Sequence, residues 1–178
     1  MRKVKIKQLF HIILAVFITA LILRIFVIDS FTVKGDSMAP TILSGDYVFV
    51  DKISYYFKNP NREDIIVAKP RSWAEKIIKR IIGLPGERIE ISEGHIYIKE
   101  NRQDTGEILK EEYLNLPATP AIGISTIKLD PKEYFALGDN RYVSIDSREL
   151  GPIDGWDIYG RVFLILRPKF PFIKVLPF

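Results

Sequence analysis

No cysteine occurs in the 178 residues. That excludes a thiol nucleophile, a disulfide framework and every zinc site built on thiolates. Histidine is nearly as scarce, with only His11 and His95. A Ser-His-Asp triad would have to use His95, and a two-histidine metal site would have to join it to His11, which lies inside an apolar run. Neither a metal nor a cofactor is expected. No repeat or low-complexity tract appears, and the length suits one domain with a core better than two. Acidic residues are also missing from the first 28 positions, where Arg2, Lys3, Lys5, Lys7 and Arg24 give +5. The total is +4, so the chain from Asp29 onward carries 21 basic and 22 acidic residues, or −1. Phosphate binding needs clustered positive charge on the folded surface, so nucleic acid is not expected as a partner.

What the N-terminus does contain is a run from Leu9 to Ile28, LFHIILAVFITALILRIFVI, the length a helix needs to cross the hydrocarbon core. Arg24, near its outer end, can snorkel to the headgroups. The basic residues at 1–8 predict a cytoplasmic N-terminus. The reading is a single-pass anchor over 9–28 in the cell membrane, with 29–178 as an extracytoplasmic domain. A cleavable secretory signal shares the basic-then-apolar pattern, but this run is longer and only Asp29-Ser30-Phe31-Thr32 follows it, with no small-x-small site.

Beyond the anchor, short runs of valine, isoleucine and aromatics alternate with turn residues, which predicts a mostly β domain. Strands are expected at 31–33, 46–52, 65–68, 76–82, 88–92, 95–99, 134–137 and 161–166. Glu93-Gly94 suits a hairpin turn and Leu84-Pro85-Gly86 a type II turn. Polar, Gly- and Pro-containing sequence points to a small inserted subdomain over about 93–131. The tail RPKFPFIKVLPF is too broken by proline for a spanning helix, and is expected to pack on the domain or rest on lipid.

A hydrolase on this chain would have to use serine or threonine activated by lysine, or a carboxylate pair. Lysine becomes a base near neutral pH only when burial lowers its pKa. In Lys76-Ile77-Ile78-Lys79-Arg80-Ile81-Ile82, a strand would put Lys79 on one face with Ile77 and Ile81. The same segment also fits an edge strand with Lys79 as a protective charge. Ser37 lies in Gly35-Asp36-Ser37-Met38-Ala39-Pro40-Thr41, where Gly35 permits close approach of the backbone. An ordinary turn serine reads the same way. The third segment, Gly138 to Arg148, would put Ser144, Asp146 and Arg148 on one side if extended. Its hydroxyl could then orient a lysine while Asp146 and Arg148 pair.

In this order the segments resemble type I signal peptidases, the membrane-bound serine proteases that remove signal peptides from exported proteins, and above all the compact bacterial Gram-positive type. The resemblance runs through SMAPTI at 37–42, GDYVFVDK at 45–52, REDIIV at 62–67, KRIIGLPGE at 79–87 and GDNRYVSIDSR at 138–148. It implies coiled antiparallel β-sheets of the signal-peptidase kind behind the anchor. It also implies a dyad in which Ser37 attacks the scissile carbonyl and Lys79 takes its proton. Ser144 matches the lysine-orienting position, and Arg80, Asp139, Asp146 and Arg148 match residues that brace the site. The Ser37 N–H would serve the oxyanion. Gly35 stands where some members carry a serine that completes the oxyanion hole. Phe31, Val33, Ile42, Val67 and Ile78 match a substrate cleft that accepts small side chains before the cut, with the peptide bound as an added strand.

Val143 replaces a common asparagine of the last motif. The partners implied are signal-peptide-bearing preproteins, membrane lipid and the neighbourhood of the secretion translocon. Two other functions fit the same residues: a noncatalytic, membrane-tethered peptide-binding or assembly factor, and a Ser-Lys protease for pilus or conjugation precursors.

Overall fold

The computed structural model describes residues 2–22, 27–71, 75–100, 104–114, 118–168 and 172–176. A helix, α1 (Arg2–Ile22), leads into β1 (Ile28–Thr32). Among the described residues no helix is long and apolar enough to cross a membrane. Residues 23–26 of the expected span, Arg24 with them, lie outside the described residues. The expected boundary moves at its outer end, because Ile28 already pairs with Asp51 in a β-ladder. Hydropathy does not separate the two states there, since a β-branched pair such as Val27-Ile28 suits a strand as well as a span. Every described side chain from Ile6 to Leu21 is exposed.

The domain is built on an eight-stranded antiparallel sheet. Along it run β1, β2 (Tyr47–Asp51), β11 (Ile158–Arg167), β3 (Ile65–Ala68), β4 (Ile77–Gly83), β9 (Glu133–Leu137) and β10 (Ile153–Asp154). The eighth strand, β12 (Phe172–Val175), also pairs with β11. It comes from the proline-broken tail, and proline is tolerated at the ends of an edge strand. β3 is buried on both faces, Ile65 and Val67 facing one core cluster and Ile66 and Ala68 another. Its four residues are therefore all apolar rather than alternating.

A second, four-stranded sheet holds β5 (Arg88–Ser92), β6 (His95–Lys99), β7 (Glu107–Ile108) and β8 (Thr126–Lys128) in the order β7-β6-β5-β8. The Glu93-Gly94 turn has positive φ at both residues, 52° and 81°, as a tight hairpin with right-handed strand twist needs. Strands β6, β7 and β8 of this sheet fall within the segment expected to form an inserted subdomain, and β5 joins them from Arg88. The sheet packs through Ile89, Ile91 and Ile96 on Ile82, Phe135 and Leu137 of the large sheet. Two short helices complete the described elements, α2 (Ser54–Phe57) and α3 (Ser147–Leu150), with a 3-10 turn at Gly155–Asp157.

Candidate active site

β4 carries Lys79 opposite Ile66 of β3, and period two sets it on the face shared by Ile77 and Ile81. Apolar neighbours on that face remove it from water: its side chain leaves the residue only 4% exposed. Its strand lies inside the sheet between β3 and β9, although β9 pairing begins only at Arg80, and the burial of Lys79 does not suit a protective charge on an exposed edge. Burial, first of all, lowers the Lys79 pKa from 10.5 to about 8. Asp146 raises it, Arg148 lowers it and Asp139 raises it, in decreasing order.

Ser37 opens a turn anchored by Met38, which is buried, while the Ile42 N–H bonds the Met38 carbonyl at 2.9 Å. The serine is half-buried, and Lys79 Nζ donates to its Oγ at 3.0 Å. The Asn140 N–H holds the Ser37 carbonyl at 3.0 Å, tying the turn to the loop after β9. Gly138 makes that junction possible. A Cβ there would fall well inside contact distance of the Ser144 hydroxyl and the Ser37 carbonyl oxygen. No hydrogen bond occupies the Ser37 N–H among the described residues. Gly35 adopts φ +82° with open space around it, so it offers no side chain to an anion beside Ser37.

The segment 138–148 is not extended. It turns at 141–143, and Asp146 then caps α3, its carboxylate accepting from the Arg148 N–H. An aspartate followed by a short helix favours this cap over a strand. Asp146 and Arg148 pair through both carboxylate oxygens, Nε at 2.8 Å and Nη2 at 2.9 Å. The Gly138 N–H also donates to Asp146 at 3.0 Å. On the other side Arg80 pairs with Asp139 in the same two-oxygen fashion, at 2.8 and 2.6 Å. Both pairs are buried, where removing one partner strands a charge. Ser144 is buried beside Gly138, but among the described residues its Oγ has no hydrogen-bond partner. The bond from this hydroxyl to Lys79 implied by the resemblance is therefore not made here.

A cleft of about 760 Å³ reaches the dyad, and Phe31, Val33, Val67 and Ile78 line it. Ile42 does not: it is fully buried in the core cluster that includes Val33 and Val67. Sequence reasoning missed Met38, Ile145 and Leu150, which also line this cleft. Ile145 alternates with the buried polar pair Ser144 and Asp146, a signal that it faces the other way. Val143 is 61% exposed and its N–H bonds the Asn140 carbonyl at 3.2 Å, so its lack of an amide side chain leaves no buried gap. Among the described residues no group of His, Asp and Glu side chains could hold a metal ion.

Residues 6–167 match the family model described as signal peptidase, peptidase S26. A probable signal peptidase I-2 of Synechocystis is 34% identical over 85% of this chain and 68% of that protein. A signal peptidase I P of Bacillus subtilis subsp. natto is 36% identical over 88% of this chain and 86% of its own length. A solved signal peptidase I of Enterococcus faecalis is 31% identical, covering 58% of this chain and 97% of that one with a TM-score of 0.49. The family match and these identities, over most of both lengths, make the chain a member of the peptidase S26 family of signal peptidases.

Proposed function

We propose that this protein removes signal peptides from exported preproteins at the outer face of the cell membrane, with Ser37 as nucleophile and Lys79 as general base. The observation that carries the reading is the 3.0 Å bond between Lys79 Nζ and Ser37 Oγ on the wall of an apolar cleft. A lysine with a pKa of about 8 is neutral often enough to accept a proton near neutral pH. In that form the hydroxyl donates to Nζ. Ser37 Oγ then bonds to the scissile carbonyl carbon, and its proton passes to Lys79. The C–N bond breaks, the amine leaves with that proton, and an ester to Ser37 remains. Water attacks the ester, Lys79 takes the water proton, and the serine is restored. The vacant Ser37 N–H serves the developing oxyanion. Asp139, Asp146, Arg80 and Arg148 brace the two elements, and Ser144 becomes a partner of Lys79 once substrate is bound.

The cleft supports binding of the substrate as a strand. β1 ends the large sheet, and Ile77 to Lys79 pair with β3 on one side while β9 begins its pairing only at Arg80. A peptide laid along these edges would press its alternate side chains on Phe31, Val33 and Ile78, whose bulk leaves room for small residues. The anchor assignment rests on the sequence run 9–28, on the basic start, and on a helix without a polar face, all of whose described side chains from Ile6 on are exposed. Alkaline extraction of membranes should leave the protein in the pellet.

Full-length protein in detergent, incubated with a signal-bearing precursor, should cut it once. Ser37→Ala and Lys79→Ala should bind it intact, and undiminished cleavage by either variant sinks the dyad. N-terminal sequencing of the product separates a signal-peptide junction from a pilus-type junction.

A further inference from the structure

One short run of the inserted subdomain, residues 111–113, reaches back to both sides of the dyad. Glu111 pairs with Arg141 through both oxygens, Nη1 donating to Oε2 at 3.0 Å and Nη2 donating to Oε1. The two side chains are almost completely buried. Arg141 also donates from Nε to the Gly138 carbonyl at 2.9 Å and from Nη1 to Thr119 Oγ1. Gly138 is the residue against which the Ser37 carbonyl and the Ser144 hydroxyl pack, and the next-but-one amide, that of Asn140, holds the Ser37 carbonyl. Two residues after Glu111, Tyr113 lays its ring on the Arg80 guanidinium with the central carbon 3.8 Å from the ring centroid. Its hydroxyl donates to Glu111 Oε1 at 2.6 Å. Arg80 directly follows Lys79 in β4.

We propose that Glu111 and Tyr113 are positioning residues, a clamp from the subdomain that fixes the separation of the Ser37 loop and the Lys79 strand. The proposal rests on the dyad reading above. One arm, Glu111 to Arg141 to Gly138, ends under the nucleophile. The other, Tyr113 on Arg80, ends beside the base, and the Tyr113 hydroxyl joins the two arms. Each arm contains a buried guanidinium whose partners fill most of its donors, so slack in either leaves a charged group unsatisfied and is opposed. Burial, and then the adjacent Glu111, push the Tyr113 phenol up, which keeps it a donor to Glu111 across the working range. Reacting groups lose rate steeply with small displacements, so the clamp acts on turnover more than on substrate binding.

The test uses full-length protein in detergent micelles with three variants: Tyr113→Leu, Tyr113→Phe and Glu111→Gln. Steady-state cleavage of a signal-bearing precursor gives kcat and KM, melting curves establish folding at the assay temperature, and amide resonances of Ser37 and Lys79 report the dyad directly. Tyr113→Leu and Glu111→Gln should each lower kcat by roughly tenfold or more with KM within about twofold. Tyr113→Phe keeps the ring on Arg80 and should recover most of the loss. Wild-type kcat in folded Tyr113→Leu, or a Phe variant no better than the Leu variant, overturns the clamp. If Glu111→Gln does not fold, the Tyr113 pair decides alone. If wild type leaves the precursor intact while the Ser37 and Lys79 amides move in Tyr113→Leu, the clamp stands and the functional reading falls. Amides that keep their wild-type positions overturn the clamp whatever the substrate.

Discussion

Lys79 follows Ser37 by 42 residues, yet its Nζ donates a 3.0 Å hydrogen bond to Ser37 Oγ from a side chain almost withdrawn from solvent. With a pKa of about 8, about one lysine in ten is neutral at pH 7. If Lys79 is the base, kcat/KM should climb roughly tenfold per pH unit below about pH 7.5 and level off above about 8.5. A rate that stays flat between pH 6 and pH 9 contradicts the assignment.

The same burial is a cost to the fold. Lowering the amine from 10.5 to about 8 opposes folding by roughly 3 kcal/mol wherever both states are charged. Between pH 8 and 10.5 the unfolded chain binds more protons, so stability rises with pH across that window, and below about pH 8 the penalty is complete. Lys79→Met, which removes the buried amine, should melt several degrees above wild type at pH 7, the gain being roughly 1–3 kcal/mol. The gain should shrink toward pH 10.5. Thermal melts at the two pH values test it, and a lower melting point at pH 7 counts against burial as the source of the shift.

Gly138→Ala inserts a methyl group where the Ser144 hydroxyl and the Ser37 carbonyl already stand. The loop must move away from the turn that holds the nucleophile. We expect a loss of roughly 1–3 kcal/mol in chemical denaturation together with a fall in kcat. Full activity in this variant would mean that the junction tolerates a wider spacing.

Ser144→Ala removes a buried hydroxyl that has no partner among the described residues. Stability should hold or improve by up to about 1 kcal/mol. Turnover should nevertheless drop by roughly tenfold if the hydroxyl meets Lys79 when substrate arrives. Parallel melts and kinetics separate the two effects, and unchanged kcat removes Ser144 from the mechanism.

Strands enclosed by turn residues were readable from residue type alone, whereas β1 and β11 each begin three residues before their expected starts. β3, β4, β5 and β6 lie within a residue of their expected bounds, because runs such as Ile65-Ile66-Val67-Ala68 leave little alternative once turn residues enclose them. Two- and three-residue strands such as β7, β8 and β10 have no period to read, and their existence depends on a partner supplied by the fold. β12 was hidden by the prolines around it. For the site, Lys79 between isoleucines was visible, and the Asp146–Arg148 pair followed from proximity. The Arg141–Glu111 pair was not, since its members stand 30 positions apart and only the fold brings the subdomain's Glu111 back to the loop after β9. Ile42 was misplaced because strand and turn apolar residues look alike in sequence, whether they face a cleft or the core behind it.

Arg80 with Asp139 and Arg148 with Asp146 are closed pairs, each summing to no net charge, and the charges that act on Lys79, those of Asp146, Arg148 and Asp139, all belong to them. Dissolved ions act on exposed, unbalanced fields, and here there is little such field for them to reach. The acidity of the lysine is thus insulated from ionic strength, and the chemical step should run alike in dilute and in saline solution.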